Sequence, residues 1–450
     1  MPVPHQPADA AARESLRLLG LDGHNWIAER GDVDHDVAIV GGGQSGTTIA
    51  HALLRAGVAR VTVLDACPSA AHSPWRTTAR MRTLRTAKTI SGPELGNPAL
   101  SFRAWFESRH GTAAFDALDR IPTAAWADYL DWYRRVTGVE VRYGTRVTDL
   151  APTGRGLRLT LHDGTRGWTE TARKVVLAGG ASGTGGPYVP DVLTALPRTL
   201  WAHTCERIDF TALRGRQVAV LGTGASGLDA AATALEAGAA EVHLYTRRDG
   251  IVVADPNTRP NPLVQDVFHL MPDAKRWELR RQAAAAGANV PPDSLTRVTV
   301  HDNHRLHVLA PWTAATEEAG RVKVEAADGV AGFDFVIAAT GYQQDPRTRA
   351  ELGSIAADIA LWQDVYPAPA GLENELLATA PYLGPDYEFT EKRPGTAPWL
   401  RDIHVFSFGA AVSFGRPVGD VPSLRVGVPR LVQAIARDLV LDDLREAERQ

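Results

Sequence analysis

The chain has 450 residues and a formal charge of −4, from 48 Lys and Arg against 52 Asp and Glu. Nucleic acids and anionic membranes favour strongly basic surfaces, so this charge argues against either as a partner. The sequence has no run of about 20 apolar residues and no basic start followed by an apolar stretch, which predicts a cytoplasmic protein without a membrane span or signal peptide.

The length of the chain limits the number of domains, and its cysteine content limits the class of protein. A chain of 450 residues exceeds the size of one ordinary hydrophobic core, so we expect two or three domains. Its only cysteines are Cys67 and Cys205, which stand far apart in unrelated contexts. This excludes a disulfide framework and a cysteine-rich metal site, and it argues against a disulfide reductase.

The first third of the chain begins with a polar lead-in, residues 1–35, that contains a short helical pattern at 11–19. The apolar run 36–40 then ends abruptly in glycines, a helical pattern covers 46–55, and a second apolar run covers 61–64. Short apolar runs of this kind are typical of strands buried in a parallel sheet. The order predicts one strand–turn–helix–strand unit.

The middle of the chain differs in composition. Residues 72–140 are rich in Trp and Arg and show helical patterns at 102–108 and 124–136. Residues 139–173 have the alternation expected of hairpin strands, and an apolar run at 174–178 leads to a pair of glycines.

A second strand–turn–helix–strand unit follows. Its predicted strands are 217–221 and 241–245, its helix is 228–237, and the apolar run 335–339 closes it with a glycine. The fold class is therefore α/β, with two Rossmann-type dinucleotide-binding domains and the second inserted into the first. We expect residues 1–195 and 335–450 to form the first domain and residues 196–334 the second.

The glycine-rich turn after the first strand carries the first predicted cofactor site. Its residues Gly41, Gly43 and Gly46 fit the pattern G-x-G-x-x-G, in which glycines allow a tight turn and a close approach of a pyrophosphate to the backbone. Gln44 and Ser45 open the following helix, whose N-terminus attracts anions. Asp65, 24 residues after Gly41, is placed to accept hydrogen bonds from ribose hydroxyls. This combination predicts an FAD site.

The second glycine-rich turn differs at the position that selects the nucleotide. The turn consists of Gly222, Gly224, Ser226 and Gly227. Thr246 stands where the first site has its aspartate, and Arg247 and Arg248 follow it. Arginine matches a ribose 2′-phosphate that aspartate would repel, so we expect NADPH here.

With these motifs, the chain resembles the class B flavin monooxygenases, a group that includes flavin-containing monooxygenases, Baeyer–Villiger enzymes and ornithine/lysine N-hydroxylases. Trp75 lies in a turn like the family's Gly-Gly-x-Trp turn, and Thr340 and Gly341 lie in a closing Ala-Thr-Gly-Tyr motif. His203 falls where the family has its linker histidine. Pro197 and Thr199 replace the family's phenylalanine and glycine nearby, which disfavours a Baeyer–Villiger assignment.

Within this group, the middle segment is similar to the N-hydroxylases. The stretches 100–105 and 126–132 resemble theirs, and Lys88 lies 13 residues before Ser101, a spacing similar to that of their substrate-carboxylate lysine. Residues 415–431 resemble the bacterial branch that N-oxygenates amino acids such as aspartate. Arg85 replaces a neutral family residue, which favours an anionic substrate. On this resemblance, Lys88, Arg85 and Asn303 are assigned to the substrate and Arg82 and Trp75 to the FAD.

The resemblance implies an NADPH- and O₂-dependent enzyme that N-oxygenates a small amino acid or amino-carboxylate through a flavin C4a-hydroperoxide. The cofactor then performs the chemistry, so no catalytic side chain is assigned. Oxygenation at sulfur, a Baeyer–Villiger reaction, an NADPH-flavin electron-transfer reductase and a flavin-binding sensor are the alternatives. A homo-oligomer also stays open.

One histidine-rich segment has a metal-like composition. It comprises His301, Asp302, Asn303, His304 and His307. A strand-and-turn pattern covers it, and alternating histidines on such a segment are more typical of a surface or of site lining, so no metal is assigned.

Overall fold

The protein was analysed as a computed structural model that describes residues 7–20, 24–255, 261–287 and 289–449. The strands, in chain order, are β1 His35–Val40, β2 Val61–Leu64, β3 Thr83–Ala87, β4 Arg120–Pro122, β5 Arg146–Thr153, β6 Gly156–His162, β7 Gly167–Leu177, β8 Gly186–Pro187, β9 Trp201–His203, β10 Gln217–Leu221, β11 Glu241–Tyr245, β12 His304–His307, β13 Trp312–Glu318, β14 Arg321–Ala326, β15 Gly329–Phe333, β16 Phe335–Ala338, β17 Tyr342–Gln343 and β18 Ile403–Val405.

The α-helices, in chain order, are α1 Pro7–Leu18, α2 Gln44–Arg55, α3 Pro74–Thr77, α4 Phe102–His110, α5 Thr112–Asp116, α6 Thr123–Val136, α7 Asp191–Thr194, α8 Ala225–Glu236, α9 Pro262–Val267, α10 Asp273–Ala286, α11 Pro292–Thr299, α12 Trp362–Val365, α13 Glu375–Ala378, α14 Ala411–Phe414 and α15 Val421–Arg449. Within the described residues, no helix is both long enough and apolar enough to cross a membrane.

The first sheet has the strand order β2-β1-β7-β6-β5, and β18 pairs with β7. Strands β1, β2 and β18 run parallel to their neighbours, whereas β5, β6 and β7 form an antiparallel meander. The sheet is covered by α2 and by the long helix α15, and its strands and helices share one apolar core. Apolar strands such as β1 have no solvated face, as expected of a parallel sheet covered on both sides.

The second sheet is wholly parallel, with the order β12-β11-β10-β16-β9. An antiparallel sheet of β13, β14 and β15 packs beside it. Because β18 returns to the first sheet after the chain has completed the second, the second unit is inserted into the first. This confirms the predicted fold class of two Rossmann-type domains. The second sheet includes β16, so its last strand lies beyond residue 334, where the sequence had suggested a boundary.

The strand predictions near the glycine motifs are confirmed to within one residue, but the helices begin earlier than expected. Helix α2 begins at Gln44 rather than at residue 46, and α8 begins at Ala225 rather than at 228. In both cases the second glycine of the motif is the N-cap, so the helix already contains the third glycine. The predicted hairpin segment begins later, since β5 starts at Arg146.

Candidate functional site

The first glycine motif forms a turn that only small residues can occupy. Gly41 has φ +114°, and a Cβ there would lie 2.6 Å from the carbonyl oxygen of Ala178. A Cβ on Gly46 would lie 1.8 Å from the carbonyl oxygen of Gly41. These two glycines let α2 start directly above the carboxyl ends of β1 and β7.

Open space lies above the N-terminus of α2. Its N-cap, Gly43, has no side-chain hydrogen bond to the helix, and a Cβ on it would meet nothing within 4 Å. The first N–H groups of a helix need acceptors and attract anions. This cradle therefore fits the pyrophosphate of a dinucleotide such as FAD.

Asp65 is held at the rim of this cradle. Its Oδ2 accepts a hydrogen bond from the Gly42 N–H at 2.8 Å, and its Oδ1 accepts one from the Cys67 N–H at 2.7 Å. Each carboxylate oxygen has a further lone pair for a ribose hydroxyl. The predicted ribose acceptor thus lies beside the glycine motif.

The C-terminal part of the chain reaches the same cradle. Gln44 donates from Nε2 to the carbonyl oxygen of Gly419 at 2.6 Å, and the indole N–H of Trp126 donates to Gln44 Oε1 at 3.2 Å. Trp75 makes an edge-to-face contact with Trp126, with ring centroids 6.5 Å apart. Trp75 therefore connects through two side chains to the first motif, and its predicted contact with the flavin stays a prediction.

The residue after Gly419 was not assigned from the sequence. Asp420 lies beside the N-terminus of α15, where its Oδ1 accepts a hydrogen bond from the Ser423 N–H at 2.9 Å, and burial raises the pKa of its carboxyl. The sequence signal for it is the Gly-Asp pair itself, but its proximity to Gln44 depends on a contact across 375 residues of chain.

The second glycine motif repeats the geometry of the first. Gly222 has φ +112°, and a Cβ there would lie 2.4 Å from the carbonyl oxygen of Ala339. A Cβ on Gly227 would lie 2.2 Å from the carbonyl oxygen of Gly222. Gly224 caps α8 without a side-chain hydrogen bond, and a Cβ there would meet nothing within 4 Å, whereas Ser226 is exposed on the first turn. This cradle fits a second dinucleotide.

The predicted phosphate-recognition residues follow β11 at the same edge of the sheet. The N–H of Thr246 donates to the His307 carbonyl oxygen at 2.9 Å, and Arg247 is exposed. Arg248 is partly buried and donates from Nη2 to the Ala284 carbonyl oxygen at 3.4 Å. Of the two arginines, Arg247 has the more accessible guanidinium.

Two arginines of the first unit contact helix α8 of the second unit: Arg85, within strand β3, and Arg82, just before it. Arg85 lies 3.4 Å from Asp229, two residues after the second glycine motif. Arg82 pairs with Glu236 at the far end of α8, at 2.9 Å. The nine residue steps from Gly227 to Glu236 correspond to a helical rise of about 14 Å. Arg82 therefore contacts the end of α8 that is far from the second glycine motif, and its predicted contact with FAD stays a prediction.

Lys88 is held by three carbonyl oxygens. Its Nζ donates to those of Phe115, Asp116 and Leu118 at 2.9, 2.9 and 2.6 Å. An ammonium group has three N–H donors, and these contacts use all of them. Lys88 thus binds the C-terminal end of α5, and its predicted role as carboxylate anchor stays a prediction.

Asn303 also lies away from the cofactor cradles. Its side-chain amide donates to the carbonyl oxygens of Ala239 and Ala240 at 2.9 and 3.0 Å. These residues precede β11, so Asn303 lies at the amino edge of the second sheet. Strand β11 separates it by about 13 Å from the carboxyl edge that carries the glycine motif. The predicted substrate contact of Asn303 stays a prediction.

The histidines near Asn303 pair with one another. His243 Nδ1 lies 3.0 Å from His307 Nε2, and Tyr245 stacks on the His307 ring at a centroid distance of 4.2 Å. Burial lowers the pKa of His243. Among the described residues, no group of three or more His, Cys, Asp or Glu side chains is arranged to hold a metal ion.

The closing motif lies where the chain passes between the two sheets. Thr340 donates a hydrogen bond from its hydroxyl to the Tyr188 carbonyl oxygen, and Gly341 has φ +81°. The nearby imidazole of His203 is buried, 5.6 Å from the ring of Tyr342, and burial lowers its pKa. These residues lie at the passage between the two cradles.

Comparisons with known proteins were consistent with this geometry. A family model described as FAD-NAD(P)-binding matches residues 38–182, and one described as L-lysine 6-monooxygenase/L-ornithine 5-monooxygenase matches residues 114–344, just over half of the chain. The FAD-dependent urate hydroxylase of Xanthomonas campestris pv. campestris is 39% identical over 445 residues, which cover 96% of this chain and 92% of that protein.

Solved structures with a similar fold include an ornithine hydroxylase from Pseudomonas aeruginosa, with a TM-score of 0.70 and 19% identity over 90% of this chain and 99% of that one. The L-lysine 6-monooxygenase from Pseudomonas syringae has a TM-score of 0.71 and 20% identity, again over 90% and 99% of the two chains.

Proposed function

This chain belongs to the L-lysine 6-monooxygenase/L-ornithine 5-monooxygenase family of FAD-dependent monooxygenases, and we propose that it hydroxylates urate or a closely related anionic oxopurine. The observation that carries the proposal is the 39% identity to the Xanthomonas urate hydroxylase over nearly the whole of both chains. That identity is about twice the identity to the amino-acid hydroxylases of known structure.

The electron source in this proposal is NADPH. In the reaction, one atom of O₂ becomes the new hydroxyl oxygen on the substrate and the other leaves as water, and NADPH supplies the two electrons. Bound FAD supplies the chemistry that passes these electrons to O₂. Arg247, exposed at the end of β11, is the residue proposed to bind the 2′-phosphate, with Thr246 and Arg248 beside it.

The chain holds the two cofactors through backbone and short side chains. We assign FAD to the cradle of Gly41, Gly43, Gln44, Ser45 and Gly46, with Asp65 on the ribose. NADPH is assigned to the cradle of Gly222, Gly224, Ser226 and Gly227. Thr340 and Gly341 lie at the passage between these cradles. The buried Trp126, which donates to Gln44, and the adjoining Trp75 place bulky apolar side chains on one side of the FAD cradle.

N-oxygenation of a small amino acid or amino-carboxylate is the second candidate. The match of residues 114–344 to the lysine/ornithine monooxygenase model favours it. The hydrogen bonds of Lys88 count against it, because they occupy the donors that the predicted carboxylate contact requires.

The remaining assignments concern organisation. We propose that residues 196–334 form most of the NADPH domain and that residues 1–195 and 335–450 form the FAD domain, with β16 belonging to the NADPH sheet. A cytoplasmic location is proposed because both cysteines are free thiols. A homo-oligomer is compatible with this assignment.

The test compares substrates in one assay. Purified FAD-loaded protein is given NADPH and O₂ with urate, xanthine, aspartate, ornithine or lysine, and we measure NADPH consumption, H₂O₂ release and product by mass spectrometry. We expect urate to stimulate NADPH consumption and to gain one oxygen atom, with little H₂O₂. Hydroxylamine formation from an amino acid without urate conversion would favour the second candidate. NADPH oxidation that yields only H₂O₂ with every substrate would contradict both.

A further inference from the structure

Helix α10 carries arginines that differ in their partners. Arg276 is paired with Asp273, donates to the Tyr382 hydroxyl at 2.9 Å and lies over the Trp362 ring, 5.0 Å from its centroid. Arg280, one turn later, donates from Nη1 to the Gly415 carbonyl oxygen at 2.9 Å. The Nε atoms of both arginines are buried without a partner. Within the part of the chain that the structure describes, Arg280 makes no ion pair with a carboxylate. Arg276 is thus neutralised by the protein and Arg280 is not.

Arg280 is half-buried, and a guanidinium that is partly removed from water has a cost if it stays unpaired. Buried charges are normally paired and their donors satisfied, because desolvation of an ion is expensive. Burial lowers the pKa of Arg280, and no carboxylate opposes that effect. The adjacent Arg281 also has a buried Nε without a partner. The local charge balance therefore calls for an anion that the chain itself does not provide.

The position of Arg280 relates it to the FAD cradle. Gly415, which accepts its hydrogen bond, is four residues before Gly419, and Gly419 accepts hydrogen bonds from Gln44 and Ser45 of the first motif. Four residues span at most about 14 Å. Arg280, on α10, thus contacts the same short turn that also contacts the N-terminus of α2.

The same helix reaches the NADPH cradle at its other end. Arg248 contacts Ala284, one turn of α10 beyond Arg280, which is a rise of about 6 Å. Arg280 therefore stands between the two predicted cofactor sites, on the helix that connects them.

We propose that Arg280 binds the delocalised oxyanion of the substrate and orients it toward the flavin. This inference rests on the proposed function, since urate and related oxopurines are planar anions at neutral pH and a guanidinium recognises planar anions through paired N–H donors. A phosphate of NADPH has the same chemistry. The substrate is favoured because Arg247 and Arg248 already serve the NADPH side, whereas Arg280 donates to the turn on the FAD side.

The experiment measures binding of each anion separately. Oxidised FAD-loaded wild type, Arg280→Met and Arg280→Lys are titrated with urate by flavin absorbance and with NADP⁺ by calorimetry. We expect Arg280→Met to raise the Kd for urate by about 10- to 100-fold, because a charge-assisted contact is lost, with the Kd for NADP⁺ within about threefold of wild type. The Kd of Arg280→Lys for urate should lie between those of the wild type and of Arg280→Met, since lysine keeps the charge but not the paired donors.

Lys275→Met is the matched control, because it removes one positive charge from an exposed part of the same helix. It should leave both dissociation constants unchanged, and FAD content should be equal in all variants. Unchanged urate binding in Arg280→Met overturns the inference, and so does a rise in the Kd for NADP⁺ alone, which identifies the anion as a cofactor phosphate. If the wild type does not convert urate, the proposed function fails, and Arg280 is then judged by the same criterion on the amino-carboxylate that the wild type does convert.

Discussion

Arg248 donates a hydrogen bond to the Ala284 carbonyl oxygen across 3.4 Å, which places its guanidinium against the end of α10. Its neighbour Arg247 is exposed. Consecutive arginines at the end of β11 therefore have different surroundings, and they should contribute differently to nucleotide selection.

Replacing Arg247 and Arg248 should separate phosphate recognition from packing. We expect Arg247→Ala to raise the KM for NADPH by about 10- to 100-fold and to leave the KM for NADH nearly unchanged, because only NADPH carries the 2′-phosphate. Arg248→Ala should have the smaller selective effect, and the double variant should lose most of the preference. Stopped-flow reduction of the flavin by each nucleotide provides the measurement. Equal use of both nucleotides by the wild type would contradict the assignment.

The glycine N-caps of α2 and α8 offer a matched pair of substitutions. Gly43 and Gly224 both have extended backbones with negative φ and open space at the Cβ position, so alanine fits each without strain. If a pyrophosphate occupies that space, Gly43→Ala should lower FAD retention and Gly224→Ala should lower NADPH affinity, each by about 10-fold or more.

The control for this pair is that each substitution should affect the binding of its own cofactor and not that of the other. Gly224→Ala should purify with its full complement of FAD, measured by absorbance after gel filtration, and thermal unfolding of the two apoproteins should match that of the wild type. Normal FAD content in Gly43→Ala would show that the pyrophosphate lies elsewhere.

Lys88 should act on stability rather than on substrate binding. Lys88→Met removes three hydrogen bonds to carbonyl oxygens at the end of α5, which should lower the free energy of unfolding by about 1–3 kcal/mol. The substrate KM should stay within about twofold of wild type, because no donor of Lys88 is free. Urea unfolding and steady-state kinetics measure the two effects. Lys323→Met, at an exposed ion pair, is the control and should leave the free energy of unfolding nearly unchanged.

The surroundings of Lys88 illustrate which features a sequence can reveal. Pattern alone predicted the features that depend on spacing within one strand–turn–helix unit. These are the two glycine motifs, strands β1 and β10, and the presence of Asp65 in the first unit where the second has Thr246. Lys88 was assigned by its spacing from Ser101, but its three acceptors follow it by 27 to 30 residues in a turn that no local pattern places.

The same limit applies to the parts of the site formed late in the chain. Strand β18 has only three residues, too few for a periodic pattern, yet it brings the 406–420 turn back to the FAD cradle. In the sequence, Arg280 is one of several arginines on a polar helix, and its contact with Gly415, 135 residues away, emerges only from the tertiary structure. Such residues depend on tertiary contacts.

Two groups in the first unit, the buried His404 and the half-buried Glu388, should give the free energy of unfolding opposite pH dependences. Burial lowers the pKa of His404 from 6.5 to about 4, and burial raises the pKa of Glu388 from 4.5 to about 7. Below pH 6.5 the unfolded state therefore binds a proton at His404 that the folded state does not, so this group lowers stability as the pH falls. Between pH 7 and 4.5 the folded state binds a proton at Glu388 that the unfolded state releases, so that group raises stability as the pH falls.

The two groups can be separated by His404→Gln and Glu388→Gln, measured by urea unfolding at several pH values between about 5 and 6, where both effects act. One proton corresponds to about 1.4 kcal/mol per pH unit. We expect His404→Gln to make the slope of unfolding free energy against pH less positive by up to that amount, and Glu388→Gln to make it more positive. Gln can retain the hydrogen bond that His404 Nδ1 donates to the Asp386 carbonyl oxygen at 2.9 Å, so the folded backbone should be preserved. Slopes that move in the same direction in both variants would contradict the assignment, because one group loses and the other gains stability on protonation.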